Sequence, residues 1–146
     1  MPAPIRVAAL ALLRRGASGE ELLLVRKRGT RAFMLPGGKF EPGESARACL
    51  ARELREELSL DLAAGATPLG RFEAPAANEP DTRVEAEIFA QAHTGPGPEP
   101  AAEIAEIRWW PLSDAADALP LAPLVADGLL GHLRGAEAAR RAPGAP

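Results

Sequence analysis

The stretch Gly38–Leu60, GKFEPGESARACLARELREELSL, places the tightest limits on what this chain can fold into. Successive residues of a helix are rotated by about 100°, so Glu53, Glu56 and Glu57 share one side if the segment is helical. Ser45 is placed to cap the helix, and Glu44 beside it is favoured by the helix dipole. Ala, Leu, Arg and Glu, all good helix formers, then run unbroken. The apolar stripe is Ala46, Leu50, Leu54 and Leu58, and Glu57 falls within it, roughly 20° from Leu50. A carboxylate at a core edge, with two more beside it, is unfavourable by desolvation and by like-charge repulsion. A hard divalent cation removes both penalties. Mg²⁺ or Mn²⁺ suits carboxylate oxygen, and the lack of His or Cys in the cluster argues against zinc. The competing reading is a solvated acidic face with Arg52 and Arg55 as ordinary ion-pair partners.

The preceding residues, Leu35-Pro36-Gly37-Gly38-Lys39-Phe40-Glu41-Pro42-Gly43-Glu44, read as a strand end followed by a Gly/Pro loop that feeds the helix. Glycine in such a loop lets backbone groups approach a ligand or metal closely. Together, loop and helix resemble the Nudix box, G-x5-E-x7-R-E-U-x-E-E-x-G-U with U apolar. Gly38, Glu44, Arg52, Glu53, Leu54, Glu56, Glu57 and Leu60 match it, and Ser59 stands where the family has glycine.

At 146 residues the chain has the size of one domain with a real core. A net charge of −3 gives no electrostatic reason to expect nucleic-acid or membrane binding. The single cysteine, Cys49, excludes an intramolecular disulfide and suits a reducing compartment. Inside the helix it reads as a small packed residue. Val7–Leu13 is apolar but too short to span a membrane, and Arg14-Arg15 closes it where a signal cleavage site would lie. The expected setting is cytoplasmic, as a monomer or homodimer.

Ile5–Leu13 and Glu21–Lys27 read as strands joined by a hairpin-like connection. In the second, Leu22, Leu24 and Arg26 share one face, and Leu23, Val25 and Lys27 the other. Ala32–Leu35 is a short strand candidate, and Leu69–Ala74, Arg83–Ala92 and Ile104–Pro111 are further strands. In the last, Ile104, Glu106, Arg108 and Trp110 alternate with Ala105, Ile107 and Trp109. Leu121–Leu133 reads as an amphipathic helix broken early by Pro123, and residues 135–146 as a frayed tail after a single domain of residues 1–134. This order of elements indicates an α/β domain. The resemblance adds the Nudix fold, a mixed sheet sandwiched between helices.

The resemblance further implies metal-assisted hydrolysis of a nucleoside diphosphate linked to another moiety. It carries Glu53, Glu56 and Glu57 over as metal ligands, with the Gly38 carbonyl added, and Arg52 as a partner that orients the glutamates. Glu44 supports the loop and helix start. The general base varies in the family: Glu56 or Glu57 could serve within the box, and Glu103 or Glu106 are distal candidates. Arg26 and Lys39 flank the loop with positive charge and are candidate phosphate contacts. One of Trp109 and Trp110 could line a nucleobase pocket. With no tyrosine, the chain lacks the marker of dinucleoside-polyphosphate members, whereas Pro75 lies near where ADP-ribose-cleaving members carry a proline. The short length is similar to nucleoside-triphosphate pyrophosphatases of the MutT type. ADP-ribose or nucleotide-sugar cleavage is the alternative. A catalytically silent ligand-binding module is the reading from another class, and it sits poorly with a box that keeps all its glutamates.

Overall fold

The computed structural model describes residues 3–141, with side chains described through Glu137. Strand β1 (Ile5–Gly16) is the spine of the sheet. It turns into β2 (Gly19–Lys27), followed by the three-residue β3 (Gly37–Lys39) and helix α1 (Ala46–Leu58). Strands β4 (Thr67–Pro75), β5 (Arg83–Ala92) and β6 (Ile104–Pro111) come next. A π-helical stretch, Leu124–Leu129, then runs directly into α2 (Leu130–Arg141). The sheet order is β4-β5-β1-β2-β6, with β3 also paired to β1. β1 and β5 are parallel from Ile5 opposite Val84 to Leu13 opposite Ala92, and the other pairs are antiparallel. The sheet is therefore mixed, as the resemblance requires.

Both faces of the sheet are covered. Ala8, Leu10, Leu12, Leu23 and Val25 pack with Cys49, Leu50, Leu54 and Leu58 of α1. Ala9, Ala11, Leu22, Leu24, Ala86 and Ile88 pack with Val125, Leu129, Leu130 and Leu133 on the opposite side. The alternation of β1 and β2 thus sorts neighbouring residues into two apolar layers, and burial of these layers supplies the main driving force for folding.

The edge of β1 that faces β2 is shared. β2 pairs with Leu13–Gly16, whereas β3 pairs with Val7–Ala9. The chain from Phe33 to Lys39 wedges into the gap, with Met34 bridged to Val25 and the Pro36 carbonyl accepting from Leu10 N–H at 2.9 Å. The strand expected over Ala32–Leu35 is thereby reduced to isolated bridges, and regular pairing starts at Gly37 instead. Pro36 has no N–H with which to continue a ladder, so pairing resumes only beyond it.

Three further expectations are corrected. A β-bulge where β2 meets β6, between Arg26 and Lys27, puts Ile104 and Trp110 in opposite layers; the extra residue shifts the strand's two-residue period. Pro123 caps the last helical segment and does not break it, because the first turn has no use for the missing N–H. The helix also continues to Arg141, into the segment read as a tail. Gly135-Ala136-Glu137 and the Ala/Arg residues after it extend a helix already nucleated by packing, at little cost. Residues 142–146 lie outside the described residues.

α1 starts at Ser45, whose Oγ accepts from Ala48 N–H at 3.1 Å. It ends at Ser59, a left-handed residue with φ 54° and ψ 37°. Ser59 N–H reaches Arg55 O at 3.3 Å and Leu60 N–H reaches Leu54 O at 3.2 Å, a Schellman ending that normally takes glycine. Left-handed backbone costs a side-chain-bearing residue roughly 1–2 kcal/mol, partly offset by the entropy that glycine loses on folding. Ser59→Gly should therefore stabilise the protein by about 1 kcal/mol, read as a higher urea midpoint with an unchanged slope. A lower midpoint would mean that the serine side chain contributes more than its backbone strain costs.

Candidate active site

The loop and the helix meet at two glycines. Gly37 has φ 146°, and a Cβ there would run into the Ala8 backbone across the β1–β3 ladder. A Cβ on Gly38 would overlap the Glu53 carboxylate. The absence of side chains at both positions lets α1 press its glutamates against the loop. Glu57 is only 2% exposed, and its Oε1 accepts from Gly37 N–H at 3.1 Å. Its Oε2 is buried without a hydrogen-bond partner. Burial first, and then the charge of Glu53, push its carboxyl up to about 7 against the Gly37 hydrogen bond and the Lys27 charge, which lower it.

Arg52 ties the box together. Its Nε and Nη2 hold both oxygens of Glu44 at 2.8 and 2.9 Å, and Nη1 meets Glu53 Oε1 at 2.9 Å. Nη2 also donates to Lys39 O at 3.1 Å, while Glu41 and Glu56 lie 3.6 Å from Nη1. Glu44 accepts Glu41 N–H at 2.8 Å as well. Its carboxyl is held down at about 2, first by the Arg52 hydrogen bonds and then by that backbone N–H. The fork of donors on one guanidinium matches these planar carboxylates, an arrangement a lysine could not reproduce. Cys49 lies beneath the loop with its thiol 3.5 Å from Gly38 O; burial first, then the Glu44 charge, raises it to about 11 and keeps it neutral.

A cavity of about 420 Å³ opens beside these residues. Glu53, Gly37, Gly38, Lys39, Lys27 and Glu103 line its polar part. Lys27 Nζ and Glu103 Oε1 are 3.2 Å apart, and Lys39 Nζ is 3.8 Å from Glu79 on the β4–β5 loop. Glu103 is held in place by its backbone: its carbonyl accepts Arg28 N–H at 2.8 Å, while Ala101 N–H donates to Glu57 O at 2.8 Å two residues earlier.

The candidates therefore separate. Glu53, Lys39, Gly38 and Glu103 come together at the cavity, with Glu57 behind Gly37. Glu56 is exposed and leans on Arg52, since on the helix it points about 100° away from Glu57. Arg26 does not line the cavity; it donates to Glu106 at 3.2 Å and to Thr30 O at 3.0 Å. Glu106 is thus engaged by Arg108 and Arg26, which lower its pKa in that order. Lys27, one residue on, is the cation that reaches the site. Its signal was present in the alternation, which puts Lys27 on the Leu23/Val25 face that α1 covers. Neither tryptophan lines the cavity: Trp110 is core, and Trp109 packs under Arg14, 4.2 Å from its ring.

Among the described residues no three acidic, His or Cys side chains converge into a closed metal cage. Mg²⁺ does not need one, because it takes one or two carboxylates and fills the rest of its shell with water and substrate phosphate. The unpartnered Glu57 Oε2 and the Glu53 carboxylate against Gly38 fit such an ion.

Comparison with known proteins decides the family. A model of the NUDIX domain matches residues 4–128.

The chain belongs to the Nudix family.

An isopentenyl-diphosphate Delta-isomerase of Nocardia farcinica is 42% identical over 76 residues, covering 49% of this chain and 42% of that protein. A putative 8-oxo-dGTP diphosphatase of Bacillus subtilis is 36% identical over 56 residues, covering 38% of this chain and 37% of that one. The chain thus spans about two fifths of the length of these curated relatives. The crystal structure of a MutT NUDIX hydrolase from Burkholderia pseudomallei superposes with a TM-score of 0.72 at 22% identity, over 89% of this chain and 98% of that one, a likeness of fold. Among the described residues of this Nudix domain no helix is long and apolar enough to cross a membrane.

The buried Glu57 has a consequence for stability. Its carboxyl titrates near 7 when folded and near its ordinary 4.5 when unfolded, so the folded state binds the proton more tightly. Metal-free protein should lose stability as pH rises from 4.5 to 7 and reach the full penalty above 7, on the order of 3 kcal/mol. Glu57→Gln should remove this slope and melt at or above the metal-free parent at pH 8, while gaining less from added Mg²⁺. Thermal melts across pH and Mg²⁺ check both points. A variant melting well below the parent would make Glu57 a structural ion-pair residue.

Proposed function

We propose that this Nudix domain is a divalent-metal-dependent pyrophosphohydrolase, cleaving a diphosphate linkage with a (deoxy)nucleoside triphosphate as its leading substrate class. The observation that carries the reading is the buried, half-satisfied Glu57 carboxylate set behind Gly37, with Glu53 at the mouth of a cavity flanked by lysines. A protein has little reason to bury an anion in that way unless a cation completes it. Glu53 and Glu57 would hold the metal, with the Gly38 carbonyl and a reoriented Glu56 as further oxygen donors. When bound, the metal neutralises phosphate oxygens and acidifies a bound water.

The residues of the chain divide the remaining work. Lys39 and Lys27 offer ammonium groups to phosphate oxygens, each leaving a glutamate partner to do so. Arg52 keeps Glu53 aimed at the loop through Glu44 and so acts as a positioning residue. Glu103 lines the cavity and, once Lys27 turns to phosphate, its carboxylate is free to accept the proton of the attacking water. The nucleotide branch is supported by the domain's size and by the partial match to the Bacillus subtilis protein. ADP-ribose is a second reading, favoured by Pro75 lining the cavity.

The test is phosphate and pyrophosphate release from nucleoside triphosphates, ADP-ribose and nucleotide sugars, with Mg²⁺, with Mn²⁺ and in EDTA. Turnover should need the metal and vanish on chelation; full activity after exhaustive metal removal would sink the reading. Glu57→Gln should reduce kcat by orders of magnitude, on the scale of losing a charge that stabilises the transition state. Glu56→Gln should lower it similarly if that side chain leaves Arg52 for the metal, and near-parent turnover would leave Glu56 as an ion-pair residue only.

A further inference from the structure

The cavity has a second half that the phosphate chemistry does not use. Beyond the lysines and glutamates, its walls are Ile5, Val7, Val84 and Leu124, all half-buried, backed by Leu35 and Val125. No aromatic ring lines it, and Asn78, exposed on the β4–β5 loop, is the only neutral amide among its lining residues. A nucleobase is usually held by stacking on an aromatic face and by several hydrogen bonds to its edge. Here the wall offers no aromatic stacking partner and almost nothing polar. A flexible hydrocarbon chain, in contrast, asks only for apolar surface to cover it.

We propose that this site also hydrolyses aliphatic diphosphates, with the diphosphate at Glu53, Lys27 and Lys39 and an unbranched or prenyl-type chain lying along Ile5, Val7, Val84 and Leu124. The proposal rests on the hydrolase reading above and adds the nature of the group beyond the phosphates. Water adds to the terminal phosphorus, the bridging P–O bond breaks, and the products are the alkyl monophosphate, orthophosphate and one proton. No oxidant or further reactant enters.

The experiment is a chain-length series of alkyl diphosphates, from ethyl to octyl, with isopentenyl diphosphate as the branched member, assayed for orthophosphate release with Mg²⁺ beside a nucleoside triphosphate. Each added methylene should raise kcat/KM about fourfold until the chain fills the cavity. Leu124→Ser and Ile5→Ser should each flatten that rise, with melts checking that both variants fold. Isothermal titration of the same series should show dissociation constants falling by about the same factor per methylene.

Nucleotide cleavage without alkyl diphosphate cleavage, or a rate flat in chain length, overturns this proposal and leaves the hydrolase reading standing. If neither class is cleaved, the hydrolase reading fails and the calorimetric series decides the aliphatic site alone. A flat affinity, or a slope that both serine variants preserve, overturns that as well.

Discussion

The hydrogen bond from Gly37 N–H to Glu57 Oε1 is the contact on which the site depends. It fastens the last turn of α1 to a strand only three residues long, and that strand is fastened in turn to the start of β1. Without it, the Glu57 carboxyl would be buried with no hydrogen bond at all, which carries the full cost of its desolvation. The bare backbone of the two glycines lets the helix press against the loop, and the bridge of Met34 to Val25 holds the chain that leads into it.

From there the order reaches across the molecule. The last carbonyls of α1 are orphans of the helix ladder, and the segment before β6 satisfies two of them, through Glu99 N–H to Leu58 O and Ala101 N–H to Glu57 O. The residue whose carboxylate is buried thus also anchors, by its backbone, the segment that presents Glu103. The same segment contains Ala102 in left-handed backbone at φ 53°. Residues distant in sequence are therefore set by the helix end, and no nearby motif could have announced their place.

Most of the fold was legible in advance. Five of the six strands, the capped helix after the loop and the sorting of β2 residues into two faces follow from alternation and propensity. The misreadings within the sheet share one cause, backbone pairing that depends on distant partners. The Ala32–Leu35 strand shrank because Pro36 lacks an N–H, and Ile104 changed sides because of a bulge against β2. Around the site, helical spacing set Glu53 and Glu57 close together and turned Glu56 about 100° from Glu57, but could not say that Arg52 would engage Glu56. Choosing Lys27 over Arg26 required knowing which sheet face α1 covers, a fact of tertiary packing.

The β4–β5 loop is attached differently from everything else around the cavity. Pro75–Glu79 forms one wall, and its side-chain tie to the glycine loop is the Lys39–Glu79 ion pair at 3.8 Å, between half-exposed groups. Exposed pairs of that kind contribute little. This wall can consequently be lengthened, shortened or exchanged without disturbing the sheet register or the Arg52 network. One side of the cavity is thereby separable from the rest, and recombination of that loop would reshape that side while the sheet wall and the glutamate helix stay as they are.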